Sequence, residues 1–237
     1  MVAVWSVGLQ LRKEPGPPGI VFRTLAACAM GMVDLMRLGI YGGTFDPVHY
    51  GHLILAEQCR EQCALDEVWF IPAAVPPHKI GGDISPGEAR CEMLELAIAG
   101  YPEFQISRME LERDGPSFTV DTLSALRRED ATRELFLLIG ADSLADFPTW
   151  REPARIAELA RLVVVNRGED APDLSAVEDA LGREIVDRIE AVSMPGIDLS
   201  ATDVRARVAV GKSIRYMTPR AVEVYVGEHG LYRGGDA

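Results

Sequence analysis

From Arg37 onward, the pattern of apolar and polar residues predicts strands and helices that alternate along the chain. Apolar runs of strand length occupy residues 38–41, 68–72, 104–107, 135–139 and 162–165. Amphipathic or capped segments predict helices at residues 51–64, 85–99, 117–128, 153–160 and 177–181, followed by two C-terminal helices. This alternation predicts an α/β fold of the Rossmann-like, doubly wound type, with a parallel sheet covered by helices on both faces.

Two of the predicted helices carry strong start signals. Ser85 and Pro86 read as an N-cap followed by proline at the first helical position. Thr218 and Pro219 repeat that arrangement before the last helix, and Gly230 predicts its end. These dipeptides therefore predict that both helices begin at the proline.

The chain of 237 residues contains no internal repeat and no linker that forces a division after residue 36. We interpret residues 36–237 as one domain. Residues 1–35 combine a Pro- and Gly-rich stretch with a weakly apolar one. We interpret them as a disordered extension, or as residues upstream of the true start, with Met36 as an alternative first residue.

The overall charge is strongly negative, with 24 basic and 36 acidic residues and a net charge of −12 at pH 7. Such a field repels nucleic acid and anionic membranes, so neither is predicted as a partner. Four scattered cysteines do not suggest a disulfide framework, which fits a reducing, cytoplasmic location. Cys59 and Cys63 lie four residues apart on a predicted helix and are interpreted as small core residues rather than metal ligands.

The most informative segment is the turn after the first predicted strand. Gly42 and Gly43 allow the backbone to approach a ligand closely, and a helix N-terminus that favours phosphate follows near Gly51. His49 and His52 flank that N-terminus and can donate hydrogen bonds to phosphate oxygens. Zinc ligation is disfavoured because their spacing is three and no third ligand accompanies them. The absence of a G-x-G-x-x-G pattern here argues against a dehydrogenase.

Several segments together resemble one family. The first turn is similar to the signature of the H-x-G-H nucleotidyltransferase superfamily, and the chain more specifically resembles bacterial nicotinate-nucleotide adenylyltransferases. The matching segments are residues 42–52, 76–79, 114–123, 140–144, 147–150 and 199–205. Leu199 and Ala201 depart from the family's commoner Ile and Ser.

This resemblance implies an enzyme that joins ATP and nicotinate mononucleotide to give deamido-NAD and pyrophosphate, a step in NAD biosynthesis. Mg²⁺ would enter with ATP, and no metal site built from protein side chains is expected. One alternative is a preference for nicotinamide mononucleotide or for another phosphorylated acceptor. A remoter alternative is a non-catalytic nucleotide-binding protein on the same fold. The sequence leaves homo-oligomer formation open.

The resemblance also assigns roles to individual residues. The residues expected to drive catalysis are His49, His52, Lys79 and Arg205. The residues expected to bind ATP, besides those histidines and Arg205, are Gly42, Gly43, Thr44, Phe45, Asp142, Ser200 and Thr202. The residues expected to bind the nicotinate nucleotide are Lys79, Ser117, Phe118, Thr119 and Trp150. For Ser200, whose spacing to Asp203 is that of a capping box, a pure N-cap role is the alternative.

Overall fold

A parallel sheet lies at the centre of the computed structural model, which describes residues 35–74, 84–167 and 172–234. Within those ranges its strands are β1 (Arg37–Gly43), β2 (Glu67–Pro72), β3 (Phe104–Ile106), β4 (Glu134–Gly140), β5 (Arg161–Arg167) and β6 (Glu190–Met194). Their order across the sheet is β3-β2-β1-β4-β5-β6, and every neighbouring pair is parallel. The predicted Rossmann-like α/β fold is confirmed.

The helices lie between and after the strands. Those in the described ranges are α1 (Tyr50–Gln62), α2 (Gly87–Ile98), α3 (Thr119–Glu129), α4 (Ala141–Asp146), α5 (Pro153–Leu159), α6 (Ser175–Leu181), α7 (Arg183–Val186), α8 (Ala201–Ala209) and α9 (Arg220–Glu228). A 3-10 turn at Phe147–Thr149 joins α4 to α5. Among the described residues, no helix is long and apolar enough to span a bilayer.

Two apolar layers cover the faces of the sheet. On β4, Phe136 and Leu138 belong to one layer, whereas Leu135, Leu137 and Ile139 belong to the other. Successive side chains of a strand point to opposite faces, so a strand buried on both sides must be apolar at every position. This requirement explains why the central strands read as continuous apolar runs in the sequence.

The order of the strands locates a crevice. From β1 the chain continues on one side to β2 and β3, and then returns to the other side of β1 to add β4, β5 and β6. The connections after β1 and β4 therefore diverge at the carboxyl ends of two adjacent strands. Ligands of open α/β sheets bind at such a switch point.

The structure corrects both predicted helix starts. Pro86 and Pro219 are themselves the N-caps of α2 and α9, so each helix begins one residue later than predicted. Ser85 and Thr218 make long-range contacts instead. The Ser85 N–H donates to Asp46 Oδ2 at 3.2 Å, and the Thr218 hydroxyl donates to the Val48 carbonyl at 2.8 Å. These tertiary bonds anchor both segments to the turn after β1, and the Thr218 bond takes the hydroxyl that a local cap would use.

Other differences concern short elements. The strand β6 was not predicted, and neither were the short helices α4 and α7. Cys59 and Cys63 are buried core residues, as interpreted. The expectations for residues 1–34 and for Lys79 lie outside the described residues and stay predictions.

Replacing Thr218 with valine is expected to lower the free energy of unfolding by about 1–2 kcal/mol, because the buried Val48 carbonyl loses its hydroxyl donor. Chemical denaturation monitored by circular dichroism measures this change. Thr132→Val is the matched control, since the Thr132 hydroxyl donates to Asp130 in an exposed loop. Equal stability of the Thr218 variant and the parent would show that this bond does not anchor the turn.

Candidate active site

The turn after β1 brings the backbone of Gly42, Gly43 and Thr44 to the crevice. A Cβ added at Gly43 would lie 2.8 Å from the Phe45 ring, so glycine is required for this close approach. Phe45 has a positive φ of 51° and is 2% exposed. Its ring packs edge-on against Tyr41, with ring centroids 5.3 Å apart. The Phe45 side chain is thus a core residue, so only its backbone could contact a ligand bound at this turn.

The two predicted histidines lie together at the start of α1. His49 is the N-cap, and His49 and His52 cap each other's backbone N–H groups reciprocally. Their rings stack with centroids 3.7 Å apart and planes 21° apart. Because His52 Nδ1 accepts from the His49 backbone N–H at 3.2 Å, the proton of the neutral His52 ring lies on Nε2. That edge of the ring is therefore a hydrogen-bond donor at a helix N-terminus.

A cluster of buried polar residues stabilises the turn after β1 by hydrogen bonds. Asp46 is 2% exposed and accepts hydrogen bonds from the Tyr232 hydroxyl and the Ser85 N–H. Arg90, also 2% exposed, donates to the carbonyls of Thr44 at 2.9 Å and Ser85 at 3.0 Å. Burial lowers the pKa of Arg90, and the negative charge of Asp46 opposes that shift. Burial raises the pKa of Tyr232 well above its ordinary value, so this phenol stays a donor.

The N-terminus of α8 meets the same turn. Arg205 Nη1 donates to the Asp46 carbonyl at 2.7 Å, and Nη2 lies 3.3 Å from the Thr202 hydroxyl. Ser200 caps α8 by accepting from the Asp203 N–H at 3.1 Å. The Leu199 carbonyl lies 3.7 Å from the position that a Cβ on Gly51 would occupy. Two helix N-termini therefore converge here, and each favours an anion.

Two adjoining cavities open beside the glycines. The larger, of about 300 Å³, is lined by Gly42–Thr44, Ala73, Ser117–Thr119, Thr149–Arg151 and Ile156. The smaller, of about 110 Å³, shares several of these walls and reaches Glu110 and Thr122. Ser117 Oγ accepts from the Ala74 N–H at 3.0 Å, which joins the loop before α3 to the end of β2. The Trp150 ring packs edge-on against Phe147, with centroids 5.4 Å apart.

The structure thus brings together two groups of predicted site residues. Gly42, Gly43 and Thr44 share the larger cavity with Ser117, Phe118, Thr119 and Trp150. Arg205 meets the same turn through the Asp46 carbonyl, and Thr202 is joined to it through Arg205. Asp142, in contrast, is exposed on the first turn of α4 and lines neither cavity.

Sequence reasoning missed several residues of this region. Glu110 and Arg151 line the cavities, while Tyr232 supports the turn by donating to Asp46. A signal existed for Arg151, which directly follows Trp150, but Tyr232 lies 186 residues from Asp46. Within the part of the chain that the structure describes, no three His, Cys, Asp or Glu residues form a group that could hold a metal ion.

Comparisons with known proteins agree with this architecture. Residues 40–207 match the cytidylyltransferase-like family. The chain therefore belongs to the cytidylyltransferase-like nucleotidyltransferases. Relatives that are 50% and 48% identical place it, within that class, in the nicotinate-nucleotide adenylyltransferase family.

The relatives that support this placement cover most of the chain. A probable nicotinate-nucleotide adenylyltransferase of Thermomicrobium roseum is 50% identical over 86% of this chain and 94% of its own length. One of Roseiflexus sp. is 48% identical over 83% of this chain and 98% of its own length. A solved Plasmodium falciparum nicotinic acid mononucleotide adenylyltransferase, complexed with NaAD, shares the fold. It has a TM-score of 0.70 at 17% identity, over 83% of this chain and 97% of that one.

Proposed function

We propose that this chain joins ATP and nicotinate mononucleotide to give deamido-NAD (nicotinate adenine dinucleotide) and pyrophosphate, a step of NAD biosynthesis. The observation that carries the proposal is the shared cavity wall, where Gly42–Thr44 meets Ser117–Thr119 and Trp150 at the switch point of the sheet. Relatives named as probable nicotinate-nucleotide adenylyltransferases, at 50% and 48% identity, support it.

The reaction needs alignment and charge stabilisation rather than an activated side chain. A phosphate oxygen of the mononucleotide attacks the α-phosphorus of ATP. A new P–O bond forms, and the bond to the bridging oxygen breaks with its electron pair leaving on pyrophosphate. Since a phosphate dianion is already nucleophilic near neutral pH, no general base is required. The protein lowers the barrier by holding two anions in line and by stabilising the charge that develops.

We assign the ATP phosphates to the two converging helix N-termini. His52 Nε2 would donate to a phosphate oxygen, and His49 would hold the His52 ring in place by stacking and capping. Arg205 adds a fixed positive charge while its bond to the Asp46 carbonyl restrains it. The Ser200 hydroxyl caps α8, because it accepts from the Asp203 N–H and donates to the Asp203 carboxylate. Ser200 would therefore assist ATP binding by stabilising the helix N-terminus that faces the phosphates.

The pyridine ring is assigned to the larger cavity. There Trp150 would stack on the ring, while the backbone N–H groups of Ser117–Thr119 would face its substituent. Lys79 stays a predicted ligand of the mononucleotide.

Mg²⁺ fits this site as a companion of ATP. The described residues at the turn offer hydrogen-bond donors and positive charge rather than a cluster of carboxylates, so the ion would be held by phosphate oxygens and water. When bound, it neutralises part of the triphosphate charge.

A cytoplasmic location is part of the proposal. The substrates are intracellular nucleotides, and Cys59 and Cys63 are buried free thiols, as expected in a reducing compartment.

Purified protein is expected to release pyrophosphate from ATP in the presence of nicotinate mononucleotide and to form deamido-NAD in equal amount. Coupled phosphate detection and chromatography of the dinucleotide measure the two products. The acceptor panel includes nicotinamide mononucleotide and phosphopantetheine, and the control omits the acceptor. Product formation from another acceptor alone would overturn the proposal, as would absence of turnover with every acceptor.

A further inference from the structure

The described lining of the two adjoining cavities carries two charged side chains of opposite sign. Arg151 lines the larger cavity, and Glu110 lines the smaller one. The other side chains on these walls are neutral, among them Ser117, Phe118 and Trp150. Two otherwise neutral adjoining cavities, one with a positive and the other with a negative side chain in its wall, can distinguish an anionic ligand from a neutral one of the same shape.

The Arg151 guanidinium is held against the cavity wall by an aromatic ring. Its Cζ lies 4.7 Å from the centroid of Phe118, which lines the same cavity. Such a cation–π contact orients the guanidinium while leaving the N–H groups at its edge able to bind an anion.

The two carboxylates near Arg151 do not occupy those donors. Asp121 and Glu152 lie 3.8 and 3.7 Å from guanidinium nitrogens, which is beyond hydrogen-bond length. Arg151 and both carboxylates are about half exposed, with side-chain accessibilities of 51%, 44% and 58%, so water and salt screen these pairs. A carboxylate inside the cavity could form shorter, charge-assisted bonds with Arg151.

Glu110 is the charged residue in the described wall of the smaller cavity. It is 7% exposed and accepts a 2.6 Å hydrogen bond from the Thr122 hydroxyl. A ligand carboxylate pointing toward Glu110 would meet a like charge, whereas one pointing toward Arg151 would meet an opposite charge. The pair therefore favours one orientation of an acidic pyridine.

We propose that Arg151 is a specificity-determining residue, whose guanidinium pairs with the carboxylate of the pyridine ring and so favours nicotinate over nicotinamide mononucleotide. This inference rests on the proposed function and deepens it, since it names the side chain that reads the charge of the acceptor. The phosphate is common to both mononucleotides, so it cannot produce such a preference.

The test compares kcat/KM for the two mononucleotides in the parent and in Arg151→Gln. The ratio of nicotinate to nicotinamide activity is expected to fall by about tenfold, with kcat/KM for nicotinamide mononucleotide nearly unchanged. Dissociation constants from calorimetry should change by the same factor. In the parent the ratio should also decrease as sodium chloride is raised, whereas in Arg151→Gln it should not.

Two further variants serve as controls. Arg151→Lys keeps the charge and is expected to keep most of the ratio. Arg155→Gln removes an exposed arginine of α5 that pairs with Glu158 outside the cavities, and should leave both substrates unaffected. Equal loss for both mononucleotides in Arg151→Gln would overturn the inference, because it would place the guanidinium on their shared phosphate. An unchanged ratio would overturn it as well, while an inactive parent would instead refute the proposed function.

Discussion

Replacing His52 with alanine is expected to lower kcat for dinucleotide formation by about a hundredfold, comparable to the loss of one donor from a charge-stabilising site. The physical reason is the direction of the imidazole. Its Nδ1 is occupied by the His49 backbone N–H, so its remaining donor is Nε2, at the N-terminus of α1. A donor in that position stabilises charge on a transferring phosphate without reorganising. Steady-state kinetics with saturating ATP and mononucleotide measure the effect.

His49→Ala is expected to reduce turnover at least tenfold, because the His52 ring loses its stacking partner and α1 loses its N-cap. The two losses should not be additive, since the rings act as one unit. A double variant would therefore be little worse than His52→Ala.

Two control variants separate catalysis from folding. His52→Asn keeps an acceptor near the position of Nδ1 and can preserve the cap, but it removes the Nε2 donor. It should be as inactive as His52→Ala and as stable as the parent. His229→Ala removes an exposed histidine that stacks on Tyr225 in the last helical turn, and should keep full activity. Near-normal rates in both His49→Ala and His52→Ala would rule out the phosphate role.

The largest effect on stability is expected for Arg90→Met. This change removes the donors to the Thr44 and Ser85 carbonyls and leaves the buried Asp46 carboxylate without the nearby positive charge of Arg90. Loss of one member of a buried, charged cluster costs about 3 kcal/mol or more. For a domain of this size the unfolding midpoint should fall by roughly 6–12 °C. Differential scanning calorimetry checks the shift.

Arg108→Met is the matched control for that experiment. Arg108 makes two short ion pairs, 2.6 Å to Glu88 and 3.0 Å to Glu95, and both of these partners are more than half exposed. Surface pairs of this kind contribute little, so the unfolding midpoint should stay near that of the parent. If Arg90→Met proved as stable as Arg108→Met, the cluster behind the turn would not support the fold.

Most strands and helices of the fold could be predicted, because a strand that is buried on both faces appears in the sequence as a continuous apolar run. Each central strand is apolar at consecutive positions, and β4 shows why, since alternate residues enter different apolar layers. The strand β6 has no such apolar run. It pairs at one edge of the sheet and buries only Val192 and Met194 of its five residues. With two buried positions separated by an exposed one, β6 lacks the continuous apolar run that indicated the central strands.

The N-cap predictions for Ser85 and Thr218 were wrong because both residues make hydrogen bonds to distant parts of the chain. Ser85 and Thr218 have the composition of N-caps, and a cap needs only residues nearby in the chain. In the folded protein the Ser85 backbone N–H donates to Asp46 and the Thr218 hydroxyl donates to the Val48 carbonyl, at separations of 39 and 170 residues. No window of sequence contains these contacts, because they exist only after the segments that hold Ser85 and Thr218 pack against the first turn.

By itself, the sequence determined the class of fold, the glycine turn after β1 and the pair of histidines at a helix start, because each depends on residues adjacent in the chain. Only the tertiary structure decided that Arg151 and Glu110 line adjoining cavities. It also decided that Arg90 and Tyr232 form hydrogen bonds with the turn after β1. The reason is physical. The periodicity of apolar residues and the residues at helix ends reflect interactions between residues that are close in the chain. The partner of a buried charge, in contrast, depends on which distant segment packs against it.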